Sequence, residues 1–386
     1  MKKKIIKSVL TAFMIMSVAC IGCGEEKPTI NLDNPNGSIA SSNDTGLDES
    51  ENTANDNAED KPFDRSSYLV TATEPPQGYV YNELSGLLID ESIKKQRPLA
   101  VMVDNEQTAL DHYGINDSDI VYEMVNSTLN GRITRLMCII KDWGKIKQFG
   151  SVRSARTTNC YLAGEYNAIL CHDGGPYYIN DYVGKPGVDH LSGVFSRVSN
   201  GKPREFTEYI CPNDLQKYIV NADNMSQDYT EYYTEDHFDF APSDAMNLNT
   251  YKEEKTASDK IELPFEHNGS KLFYNKESNT YDYYEYGNYH KDAVTGEVLT
   301  FTNVIIQKAH MGEYDKHGYM VYDIVYNNGE GYYITDGKCV DITWEREGLT
   351  DNTIFRDSNG DTVVLNAGKT YIAIVPDDVW DEIKIN

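Results

Sequence analysis

From Lys271 onward the chain falls into short runs that alternate apolar and polar residues: KLFYN, TYDYYEY, FTNVIIQ, YMVYDIVY, GYYIT, CVDITW, TVVLN and TYIAIV. Alternation with period two puts every second side chain on one face, which suits a half-buried strand and little else. Pairs of Asn, Gly and Asp separate the runs at the spacing of an antiparallel sheet or small barrel. We therefore expect residues 236–386 to form a linker and an all-β antiparallel domain, entered through the acidic, irregular stretch YTEYYTEDHFDFAPSD. The many tyrosines there suit stacking on sugar rings or docking of a protein chain, but cross-strand packing accounts for them as well.

The half before this linker reads differently. RPLAVMVDN (97–105) is a continuous apolar run bounded by Pro98 and polar residues, the pattern of a strand buried on both faces. DIVYEMV (119–125) and ITRLMCIIK (133–141), joined by the turn-rich STLNG, predict a hairpin. VRSARTTNCYLAGEY predicts a helix that Ser154 caps and that runs to about Glu165, followed by the strand NAILCHD and the turn Gly174-Gly175-Pro176. Residues 68–235 are thus expected to form an α/β domain with a mixed sheet, and the whole an α+β protein.

Ahead of both lies an export signal. Lys2 to Lys4 and Lys7 precede an apolar run from Val9 to Ala19 that is too short to span a bilayer. Cys20 and Cys23 compete as lipidation sites. Gly22 and Gly24 beside Cys23, with Glu25 and Glu26 opening the polar chain, favour a signal over 1–22 and lipid on Cys23. Acyl chains, palmitate among them, would then hold the protein at the outer face of the cytoplasmic membrane. Residues 23–67, rich in Asn, Asp, Ser and Glu, lack the apolar surface to offset ordering entropy and read as a disordered acidic tether.

The net charge of -26 excludes nucleic acid as an expected partner, since such binding needs clustered Lys and Arg. Cys138, Cys160, Cys171, Cys211 and Cys339 show no metal spacing; Cys138 and Cys171 sit in apolar runs and read as buried thiols. No P-loop, G-x-S-x-G, H-E-x-x-H or C-x-x-C lies in the expected domains, so no metal or other cofactor is indicated. Asp357-Ser358-Asn359-Gly360-Asp361 imitates a calcium loop without its distal glutamate and reads as a hairpin turn.

RPLAVMVDN, DIVYEMV, GRITRLMCII, GSVRSAR and AILCHDGG, followed by FTNVIIQ, GEGYYITDGK, ITWERE, FRDSNGDTVVL and AGKTYIAIVP, resemble in this order the YerB-like bacterial lipoproteins. The likeness runs from about Leu99 to Asp377. It implies a secreted lipoprotein of Gram-positive type with paired domains of unknown function and no established activity. Relatives carry a glycine pair where this chain has Leu129-Asn130-Gly131-Arg132, and a His-Asn pair within the stretch that is here Glu205-Phe206-Thr207-Glu208-Tyr209. A family site built on that histidine would be missing here. The matching positions are Asp104, Asn105, Glu123, Arg135, Arg153, Ser154, Arg156, His172 and Gly174.

Those positions carry the candidate chemistry. Glu123 sits in a strand covered on both faces and needs a partner, for which Arg135 in the hairpin's second strand is the nearest choice, either as a structural ion pair or as the tuner of an acid-base group. Arg153, Ser154 and Arg156 at a helix start would clamp a carboxylate or phosphate, or pair internally with Asp104 or Glu123. Asp104-Asn105 and His172-Asp173 end two strands which, if parallel neighbours, open on one crevice. The helix start would then fall at the far end of the second strand unless its loop folds back. The favoured function is a non-enzymatic envelope protein that binds a wall polymer or a wall-synthesis protein. The alternative is a hydrolase or transferase acting on a wall-derived substrate, with Glu123, Asp104 or His172 as acid or base.

Overall fold

The computed structural model describes residues 68–242, 258–316 and 318–386. The expected signal, the tether and Cys23 lie outside the described residues. Ten strands form one mixed sheet: β1 (Leu99–Asp104), β2 (Ile120–Val125), β3 (Thr134–Ile140), β4 (Ile169–His172), β5 (Asp189–Ser192), β6 (Asn303–Ala309), β7 (Asn327–Thr335), β8 (Lys338–Arg346), β9 (Ile354–Arg356) and β10 (Thr370–Pro376). Their order across the sheet is β9-β8-β7-β6-β10-β2-β3-β1-β4-β5.

β1 to β5 come from the half expected to be α/β, and β6 to β10 from the half expected to be all-β. They meet where β10 runs parallel to β2, with Thr370 opposite Ile120 and Ile374 opposite Met124. The ten-stranded sheet therefore draws its strands from both sides of residue 235/236, whereas a second sheet lies wholly after it. β10 is also parallel to β6, so the second half is not wholly antiparallel. The reason is packing: every residue of β1, β2, β3 and β10 is buried, and such apolar strands belong in a sheet covered on both sides.

The outer hairpin follows its turn chemistry. Asp336 and Gly337 take positive φ (53° and 71°) between paired Thr335 and Lys338, as a two-residue turn matched to strand twist demands. The β2–β3 hairpin and the parallel pairing of β1 with β4 are both present. Residues 357–361 form the expected turn, with the Asp357 carboxylate accepting from the N–H groups of Asn359 and Asp361.

A second, antiparallel sheet built from Lys260–Glu262, Lys271–Asn275, Thr280–Glu285, Asn288–Tyr289, Thr300–Phe301 and Lys384–Ile385 covers one face. Its Tyr283 reaches Glu123 of β2. The helix Thr157–Glu165 covers the other, with Asn159 resting on the sulfurs of Met124 and Met137.

That helix begins two residues later than expected, its cap position falling on Arg156. Around Arg153 the chain is extended and inserts between strand ends, with the Arg153 N–H bonded to the Met102 carbonyl and the Asp173 N–H to that of Arg153. Asn159 Oδ1 caps the helix by accepting from the Arg156 N–H at 2.7 Å, so Ser154 is not the cap. The helix start also lies at the carboxyl ends of β1 and β4, since Ala155 N–H donates to the Gly174 carbonyl. A helix that returns antiparallel to the strand following it puts its first turn there, which removes the conflict raised by the sequence.

Buried charge ties the halves together. Glu165 at the end of the helix meets Arg346 at the end of β8, Nη1 to Oε2, at 2.7 Å, and both side chains are fully buried. His237 and the Thr353 N–H hold the other carboxylate oxygen. Burial alone would raise the Glu165 pKa, but Arg346 and His237 hold it down at about 2. A depressed folded-state value means stability that is present above about pH 4.5 and is lost as pH falls from there toward about 2. Glu165→Gln should therefore flatten acid unfolding over that window in pH-dependent denaturant melts. At neutral pH it should cost about 3–5 kcal/mol by stranding Arg346.

Candidate functional site

Pleating sorts the polar side chains at the open end of the β2–β3 hairpin. Glu123 lies opposite Leu136, and Met124 opposite Arg135, so Glu123 and Arg135 project from opposite faces of the sheet. The expected Glu123–Arg135 pair does not form. Asp104 and Asn105, neighbours at the end of β1, part in the same way.

On the helix face stand Asp104, Arg135, Arg153, Ser154 and Arg156. Arg153 is a strut: its Nε donates to the buried Asp104 carboxylate and its Nη2 meets Glu205. Arg135 Nη1 donates to both the carbonyl and the hydroxyl of Ser154 at 2.7 Å, and to Asn126 Oδ1 at 3.4 Å. Arg156 Nη1 donates to the Ala155 carbonyl at 2.9 Å and to Ser154 Oγ at 3.2 Å, while its guanidinium stacks 4.2 Å from the centre of the Tyr319 ring. Ser154 thus spaces two arginines instead of capping a helix.

Neither Arg135 nor Arg156 has a carboxylate within ion-pair distance among the described residues. Each is only 6% exposed, and the Nε of each is buried without an acceptor. Burial pushes the Arg135 guanidinium down to about 9, against the pull of Asp104 and with Arg156 and Arg153 adding to it; burial lowers Arg156 too. Both stay charged at neutral pH. Two adjoining buried cations with unused donors are costly as they stand, and an anion satisfies both the charge and the hydrogen bonds.

On the opposite face Glu123 is enclosed. Its carboxylate accepts from Thr134 Oγ1 at 2.9 Å, Asn268 Nδ2 at 2.8 Å, Ser270 Oγ at 2.7 Å, Tyr283 OH at 2.9 Å and Tyr371 OH. Asn105 extends this network through Thr134 Oγ1 at 2.9 Å. Burial raises the Glu123 pKa.

The remaining expected residues make no contact with the arginine pair. His172 Nδ1 bonds the Gly174 carbonyl at 2.7 Å and Nε2 meets His190 Nδ1 at 3.0 Å; burial drives its pKa to about 4, so the ring is neutral. Asp173 is held by Arg197 at 2.7 Å, beside a Glu208 raised to about 7 by burial and by Asp173 itself.

Sequence reasoning missed His112, Glu285 and His290, the group with metal-ligand chemistry among the described residues. Asn268 links Glu285 to Glu123. The available signal was a Glu and a His flanking the Tyr286-Gly287 hairpin turn; His112 comes from another half of the chain and carried none.

Arg153 and Arg156 should therefore behave oppositely in thermal melts. Arg153→Gln strands the Asp104 carboxylate and should cost about 1–3 kcal/mol. Arg156→Gln removes a charge that has no carboxylate within ion-pair distance among the described residues, and should leave the midpoint within about 2 °C of the parent.

Comparison with known proteins places this geometry in a family. Residues 84–227 match the N-terminal domain and residues 261–372 the C-terminal domain of the family described as "Protein of unknown function (DUF3048)". The chain is 25% identical over 304 residues to the candidate lipoprotein YerB of Bacillus subtilis (strain 168), covering 76% of this chain and 86% of that protein. In fold it is similar to the crystal structure of the YerB protein from Bacillus subtilis, with a TM-score of 0.66 at 21% identity, over 80% of this chain and 99% of that one. The chain carries both domains of this family and belongs with the YerB-like lipoproteins of unknown function.

Proposed function

We propose that this protein is an extracytoplasmic lipoprotein, held at the outer face of the cytoplasmic membrane by lipid on Cys23, that binds an anionic group of the cell wall between Arg135 and Arg156. The observation that carries this reading is the pair itself: two buried guanidiniums sharing Ser154, with no carboxylate within ion-pair distance among the described residues and free donors on each. In a chain of net charge -26 this local reversal concentrates positive potential where the long polar tether could present it to the wall. A phosphate of a wall polymer or a carboxylate of a wall peptide supplies what the site lacks. Binding is favoured over acid-base catalysis because Glu123 is sealed by donors and His172 is engaged through both nitrogens.

Inorganic phosphate and purified anionic wall-polymer fragments should raise the thermal midpoint of the mature protein. A ligand at 100 times its Kd adds about 2.7 kcal/mol. The rise should vanish in Arg135→Gln and Arg156→Gln and persist in a variant of the remote Arg356. Equal shifts in all of these proteins would defeat the reading, and a shift produced only by an acidic partner protein would replace the polymer.

The anchor is tested separately. Intact-mass analysis of membrane-extracted protein should give a mature chain that starts at an acylated Cys23. A chain that starts at Cys20, or a free N-terminus, would show the processing to be misread.

A further inference from the structure

On the second-sheet face, away from the arginine pair, His112, Glu285 and His290 converge. One ligand atom from each lies within 4.8 Å of the others, and all three side chains are buried. His112 comes from the loop between β1 and β2. Glu285 closes the strand Thr280–Glu285, and His290 follows the short strand paired to it.

Each imidazole is fixed through one nitrogen. His112 Nε2 lies 2.6 Å from the Asp104 carbonyl, which can only accept, so Nε2 carries the hydrogen and Nδ1 the lone pair. His290 Nδ1 lies 2.7 Å from Glu285 Oε1; donated there, its hydrogen leaves the lone pair on Nε2. The two remaining nitrogens, His112 Nδ1 and His290 Nε2, are buried with no hydrogen-bond partner, in rings whose centres are 4.9 Å apart. Buried polar atoms are nearly always satisfied, and two bare lone pairs on adjoining rings call for something that accepts them.

The surroundings match a metal's outer shell. Metal-bound histidines donate their second N–H to a carbonyl or carboxylate, as both rings do here. Glu285 is itself oriented by Asn268 Nδ2 at 3.1 Å and Tyr283 OH at 3.4 Å. A cavity of about 230 Å³, lined by Glu285, His290, Gln107 and Asp111 among others, adjoins the group. It provides a way in and space for water.

We propose that His112 Nδ1 and His290 Nε2 bind a divalent first-row transition cation of the zinc class, with Glu285 holding His290 from the outer shell and water from the adjoining cavity completing the ion's own shell. Two imidazoles suit such an ion and suit oxygen-seeking Ca²⁺ or Mg²⁺ poorly. Bonds of about 2.0–2.1 Å in a tetrahedral shell put ligand atoms roughly 3.4 Å apart, the separation the two imidazole nitrogens take on binding.

Metal-stripped mature protein titrated calorimetrically with Zn²⁺ should bind one tight equivalent, and Co²⁺ in its place should give the visible absorption of a tetrahedral site. His112→Ala and His290→Ala should each weaken binding by at least about 100-fold, and Glu285→Ala, an outer-shell change, by about 10–100-fold. His190→Ala, in the separate His172–His190 stack, should bind as the parent does. Absence of a saturable equivalent in the parent, or unchanged affinity in the three variants, overturns the proposal. Should those variants fail to fold, anomalous scattering from Zn²⁺-treated crystals of the parent decides: a peak among the three side chains supports the site, and a peak only elsewhere refutes it.

Discussion

The structure depends on the parallel pairing of β10 with β2. Seven consecutive residues of β10 are buried, and the strand lies between β6 and β2, parallel to both. Without it the sheet would divide into two halves, each with an open apolar edge. Its partner in β2 lies some 250 positions earlier in the chain, so the closing contacts of the core are non-local and form against a large loop-closure entropy. β10 also supplies Tyr371, whose hydroxyl reaches Glu123, so the strand that joins the halves completes the polar network between the sheets.

From that sheet follows the separation of charge. Pleating sends Arg135 and Asp104 to the helix face and Glu123 and Asn105 to the second-sheet face, although Asp104 and Asn105 are sequence neighbours and Glu123 and Arg135 share one hairpin. In a low-dielectric interior each buried polar group must then find its partners locally. Glu123 does, through hydroxyls and amides of both sheets. Glu165 does, through Arg346 and His237. Arg135, Arg156, His112 and His290 keep buried nitrogens without partners, and in each pair two such groups adjoin, where one ligand would complete both.

Local pattern made much of the fold legible. The continuous apolar runs at 99–104, 120–125 and 134–140 are buried strands, the β2–β3 hairpin is where STLNG put it, and the alternating runs after Lys271 are strands joined by the turns their Asn, Gly and Asp pairs require. These features rest on interactions within a few residues, which periodicity reports directly. The arginines at the helix start were legible too, as a reversal of charge in an acidic chain.

What tertiary structure alone decided was which strands share a sheet and which side chains share a face. Glu123 and Arg135 are close in sequence and in space, yet hairpin register puts the sheet between them. Ser154 looks like a helix cap in one dimension, but an extended insertion between β1 and β4 commits it to two guanidiniums. His112 and His290 are far apart in the chain and adjoin only because the second sheet packs over β1 and β2. Local propensity and period act over a handful of residues, whereas register, sheet order and packing are settled by the burial of whole faces, and the candidate sites lie where those faces meet.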